Sequence, residues 1–83
     1  MTNITVQCPD EVLISLKEDA DAFTRELPLA AAMKLYELGR LSSGRAAQLA
    51  GLSRVAFLNR TGDYRVPIYD ATAEELEEDA RNA

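Results

Sequence analysis

Histidine is absent and cysteine occurs once, as Cys8. This excludes an intramolecular disulfide and a cysteine–histidine catalytic pair within one chain. It also leaves too few nitrogen and sulfur ligands for a zinc site. The four glycines, Gly39, Gly44, Gly51 and Gly62, stand apart, so no glycine-rich loop is present to cradle a phosphate. No apolar run approaches the ~18 residues that suggest a membrane span. The first residues lack the basic-then-apolar order of a signal peptide. The expectation is a cytoplasmic protein that is no enzyme and carries no metal or cofactor. The carboxylates gather toward both ends, where a solubilising role is the simpler reading. Ser42 and Ser43 lack a histidine base and read as helix caps.

What is present fits one small domain over residues 1–83. The hydrophobic fraction is 47%, that of a globular chain. Alanine supplies much of it and adds little core volume. A chain of this length buries a modest share of its surface, so a homodimer is expected, with part of the core completed between subunits.

Charge is segregated along the chain. The net charge is −5, which at first argues against a polyanionic partner. Yet residues 34–65 hold six cations, Lys34, Arg40, Arg45, Arg54, Arg60 and Arg65, against two anions, Glu37 and Asp63. The segments on either side are strongly acidic. Phosphate binding depends on local cations and counterion release, so a basic island can serve on an acidic protein.

The basic island coincides with residues 42–61, which read as two short helices joined by a tight turn. A small residue lies four before the turn glycine, an apolar one just after it and another six after it: Ala47, Gly51, Leu52 and Phe57. Ser42 or Ser43 can cap the first helix and Ser53 the second. Ala46, Ala47 and Ala50 keep the first helix thin. Gly51 suits a corner of positive φ. This is the spacing of a helix-turn-helix, in which the second helix enters the DNA major groove with its N-terminal residues leading. The competing reading is a helical hairpin with a glycine cap that serves packing or dimerisation as a protein-interaction module. On the DNA reading, Ser53 and Arg54 lead the second helix, and Arg54 can pair in a forked way with guanine. Val55 can meet a thymine methyl, and Asn59, one turn on, an adenine edge or a phosphate. Arg45 and Arg60, with Arg40 and Arg65 nearby, are phosphate candidates; for each arginine the bland alternative is a surface ion pair.

Elsewhere, Asn3 to Cys8 alternates with period two, which predicts a short strand ended by Pro9. Asp10 can cap a short helix bearing Val12, Leu13 and Leu16. A longer helix is predicted from about Ala22 to Leu38, with Phe23, Leu27, Ala30, Ala31, Leu35 and Leu38 on its main stripe and Leu29, Met33 and Tyr36 beside it. Pro28 predicts a kink or a break there. Tyr64 to Tyr69 alternates as a second short strand, confined to an edge by Pro67. Thr72-Ala73-Glu74-Glu75 fits a capping box, opening an acidic helix or tail over 72–83 that is either solvated or ordered by a partner. The fold class is therefore mainly α: a helix-turn-helix domain, with one or two short β-strands near the termini, in a dimer.

The run LAAAMKLYELGRLSSGRAAQLAGLSRVAFL, flanked by ITVQCPDEVLISL and by VPIYD with TAEELEED, closely resembles uncharacterised protein family one-seven-five, small prokaryotic proteins. Members look like antitoxins of type II toxin–antitoxin pairs and are similar to DNA-binding repressors that accompany a PIN-domain-like ribonuclease toxin. The resemblance implies that residues from Ser43 to Arg60 bind operator DNA and that a terminal segment engages the toxin. Leu76, Ala80 and Arg81 are the candidates on the C-terminal segment. Two features depart from the family. Pro28 falls where its members continue the helix, and Asn59-Arg60-Thr61 is more polar than their leucine-bearing run, pointing to an early end of the second helix.

Overall fold

The computed structural model describes residues 1–68, and its order is entirely helical: α1 (Asp10–Leu16), α2 (Ala20–Glu37), α3 (Ser43–Ala50) and α4 (Arg54–Arg60), followed by a 3-10 turn, Thr61–Tyr64. Pro9 precedes α1 in extended conformation, and Asp10 is the first helical residue rather than its cap. Asp10 and Glu11 sit where the helix dipole favours negative charge. Lys17, in the left-handed region at φ 57°, closes α1 by donating its N–H toward the carbonyls of Leu13 and Ile14. Asp19 then caps α2, its carboxylate accepting from the Ala22 N–H at 2.8 Å.

At the junction of α1 and α2, Glu18 Oε2 and Glu26 Oε2 are both buried without a donor. A hydrogen bond to Glu26 raises the Glu18 carboxyl above its usual pKa, with burial and the charges of Glu26 and Asp19 acting in the same direction. A proton shared between two carboxyls relieves both the repulsion and the missing donor.

Of the kink or break expected at Pro28, the break does not occur: α2 is one helix of 18 residues with the proline inside it. An interior proline costs ~3 kcal/mol or more. The burial of Leu29, Ala32, Met33 and Tyr36 on the same helix offsets that penalty, since each buried large apolar side chain contributes ~1.5–3 kcal/mol. The face taken into the core is also not the expected stripe. Leu29 and Met33 lie two residues, or roughly 200° of helical rotation, from Leu27 and Ala31. The helix is apolar on both sides, and α3 and α4 cover the side bearing Met33 and Tyr36.

The core comprises Leu29, Ala32, Met33, Tyr36, Ala46, Ala47, Phe57 and Val66. Ala46 and Ala47 bring α3 close to α2, and the room left beside them is filled by Phe57 and Met33, the largest fully buried side chains. The Phe57 and Tyr36 rings meet edge to face, centroids 5.6 Å apart at 86°, a favoured aromatic geometry. This core closes within one chain, so the alanine-rich composition does not by itself require a second subunit to complete it.

Neither expected strand forms among the described residues. Asn3 to Cys8 forms no regular element and pairs with no other strand among the described residues. Residues 61–64 coil into the 3-10 turn, stabilised by the Thr61 hydroxyl donating to the Leu58 carbonyl at 2.7 Å. Arg65, at φ 55°, turns the chain so that Val66 enters the core and donates its N–H to the Thr61 carbonyl at 3.0 Å. A period-two pattern cannot become a ladder without a neighbour, and here packing of Val66 outweighs it. Tyr69 and the acidic helix expected over 72–83 lie outside the described residues. Among the described residues, no helix is long and apolar enough to cross a membrane.

Candidate nucleic-acid interface

Residues 42–61 form two helices around a sharp corner. Ser42 is the cap of α3, its hydroxyl accepting from the Arg45 N–H at 3.2 Å. The far end of α3 is closed by Gly51 at φ 72°, ψ 28°, a left-handed cap, and Leu52 donates its N–H back to the Ala47 carbonyl at 2.9 Å. Two bonds to the last carbonyls with a glycine in this region turn the chain within two residues. Ser53 caps α4 by accepting from the Ala56 N–H at 3.1 Å. Phe57 is fully buried and Leu52 and Leu58 pack against the core, so one side of α4 is held while the opposite side faces outward.

That outward side carries Val55, 68% exposed, and the exposed Asn59. They are four residues apart and therefore neighbours on one helical face. An apolar tip and a carboxamide together can read a thymine methyl and an adenine edge. Arg54 turns the other way: its Nε donates to the Ser43 hydroxyl at 2.7 Å. Ser43 is buried and thus braces Arg54 across the corner between α3 and α4. Arg45, on the first turn of α3, donates from Nη1 to Gln48 Oε1 at 3.0 Å at the surface. Arg60 is ion-paired with Asp63 at 3.0 Å, and Lys34 with Glu37 at 2.7 Å. Arg40 and Arg65 are exposed on either side of the unit.

The structure thus gathers Val55 and Asn59 on one face, assigns Ser53 to a cap and Ser43 to a support, and gives Arg60 an acidic neighbour. Sequence reasoning does not single out Gln48. Its position three residues after Arg45 is the signal that could have found it, because that spacing places two side chains side by side on a helix. Leu76, Ala80 and Arg81 lie outside the described residues.

Neither a curated protein nor a solved structure matches the chain. One family model does, over residues 1–83, and its description is Uncharacterised protein family (UPF0175). With the whole of its length covered, the chain belongs to Uncharacterised protein family UPF0175.

Proposed function

We propose that this protein binds DNA through α3 and α4 and represses its own operon as the antitoxin of a type II pair. The observation that carries the DNA reading is the outward face of α4, where Val55 and Asn59 project beside a corner fixed by Gly51 and two serine caps. Phe57 and Leu58 anchor that helix from behind, so it can enter a major groove without unfolding. Arg40, Arg45 and Arg65 supply cations at its margins, and Arg54 stiffens the corner through Ser43.

Binding to DNA upstream of the gene, followed by fluorescence anisotropy across a salt series, tests this reading. Val55→Ala together with Asn59→Ala should weaken specific binding by ~1–3 kcal/mol for each base no longer read. Arg40→Ala should lessen the salt slope by about 0.9 for each phosphate no longer neutralised. A wild-type protein that fails to retard this DNA at low salt overturns the assignment.

The antitoxin half of the proposal rests on the resemblance of KLYELGRLSSGRAAQLAG to antitoxin-like proteins. A PIN-domain-like ribonuclease is the proposed partner, with Leu76, Ala80 and Arg81 as its contacts. Co-expression with the product of the adjacent gene, followed by a ribonuclease assay, tests it; a neighbour that is neither bound nor inhibited rejects it. A protein-interaction module is the second reading. It is favoured by the exposure of Leu49 and Val55 on the same bihelical unit and by the local neutralisation of Lys34 and Arg60.

A further inference from the structure

Among the described residues, the large apolar side chains left exposed are concentrated at the N-terminus. Met1, Ile4, Val6, Val12, Ile14 and Leu16 are six of ten such residues. Patches of this kind mark interaction sites. Ile4, Val6 and Cys8, alternate residues of the N-terminal segment, line a groove of about 670 Å³ with Phe23, Leu27 and Ala31, and Thr5 and Gln7 do not. These last three belong to the side of α2 that the core does not use. Ile4 is still 81% exposed and Val6 60%, so the segment roofs this groove only in part. Among the described residues, no backbone hydrogen bond outside the helices involves an N–H or carbonyl of residues 1–8. With its backbone groups unpaired and its side chains alternating, the segment is a template on which another strand can form a ladder.

We propose that a second copy of this chain supplies that strand, and that residues 4–8 of two subunits pair antiparallel about a two-fold axis at Val6. Three observations select this occupant. The segment is self-complementary, as an isologous contact requires. Residues 2–8 carry no ionised side chain, so identical strands meet without like charges opposed. The other period-two segment is unsuited, because its start is coiled into the 3-10 turn and Val66 is buried in the core.

The pleat fixes the register. Directly opposed residues share a face, and a slip of one residue would set Ile4 against Gln7 or Pro9 instead of Cys8. Pairing Val6 with itself and Ile4 with Cys8 of the partner subunit puts all six apolar side chains over the grooves and all four Thr5 and Gln7 side chains outside. Asp10 then falls opposite Thr2, so no acid meets an acid. Leu49 of α3 also lines the groove, but the inference uses none of the residues assigned to DNA and so stands apart from that reading.

Sedimentation equilibrium of the full chain without DNA is the first test, and twice the chain mass is expected. Val6→Lys, which opposes two ammonium groups on the axis, should yield monomers with unchanged helical circular dichroism. Register is tested in a Cys8→Ser background. Val6→Cys should form an intermolecular disulfide on mild oxidation, because self-opposed Cα atoms in an antiparallel pair are ~4.5–5.5 Å apart. Thr5→Cys should not, since its two copies would be roughly 8 Å apart. A monomeric wild type, a dimer that survives Val6→Lys, or equal crosslinking at positions 5 and 6 overturns the proposal.

Discussion

Replacing Gly51 by alanine tests the corner on which the bihelical unit depends. Gly51 sits at φ 72°, and a Cβ built there meets nothing within 4 Å. The substitution therefore carries no steric collision, only the strain of holding an L-residue in the left-handed region, ~1–2 kcal/mol. Alanine also restricts the unfolded chain, which returns ~0.4–1 kcal/mol. The net expectation is a loss of about 1 kcal/mol, or a fall in Tm of roughly 4–8 °C for a domain of this size. Gly62 provides the control. It too has nothing within 4 Å of a built Cβ, but its backbone is not left-handed. Gly62→Ala should keep only the unfolded-state term and stabilise by ~0.4–1 kcal/mol. The difference between the two variants isolates the left-handed strain. Urea titrations followed by circular dichroism at matched m-values measure both. If Gly51→Ala proves as stable as Gly62→Ala, the corner is not left-handed in solution and the proposed helix-turn-helix reading built on it fails.

Phe57→Ala removes the largest fully buried side chain and its edge-to-face packing on Tyr36. The expected cost is ~3–5 kcal/mol, enough to unfold much of a domain whose total stability is ~5–15 kcal/mol, as disappearance of the helical dichroism would show. Ser53→Ala deletes the acceptor for the Ala56 N–H and should cost ~1 kcal/mol; amide exchange at Ala56 should accelerate, and unchanged protection would refute the cap. Glu18 has its pKa raised in the folded state by the hydrogen bond to Glu26. A raised carboxyl pKa stabilises the fold at pH values below the unfolded-state pKa, and that contribution is lost as pH rises through the folded-state value. Acidification from neutrality toward the carboxylate range should therefore raise the Tm of the wild type relative to Glu18→Gln, whose side chain at position 18 no longer titrates. Parallel pH dependences of the two proteins would exclude the shared proton.

Local chemistry makes the corner between α3 and α4 legible in advance. Ser42, Gly51 and Ser53 each satisfy backbone groups within a few residues, and Ala47, Leu52 and Phe57 stand at spacings set by helical geometry, so the corner can be read without knowing what packs around it. The early end of α4 at Arg60 is likewise written in the polar Asn59-Arg60-Thr61 run. The side-chain partners at the site are less accessible. The bond from Arg54 to Ser43 joins residues eleven apart, and no local rule announces it. The pairing of Arg60 with Asp63 is a nearer miss, because the two lie three residues apart.

Composition and spacing by themselves determined the helical class, the serine caps of α3 and α4, the corner and the placing of a basic island in an acidic chain, because these depend on contacts within one or two turns. Tertiary structure alone decided which of two apolar sides of α2 faces inward, whether Pro28 is tolerated and whether the alternating segments become strands. Each of those outcomes compares a local preference of a few kcal/mol with burial or pairing against distant residues. Only the assembled core shows which term is larger.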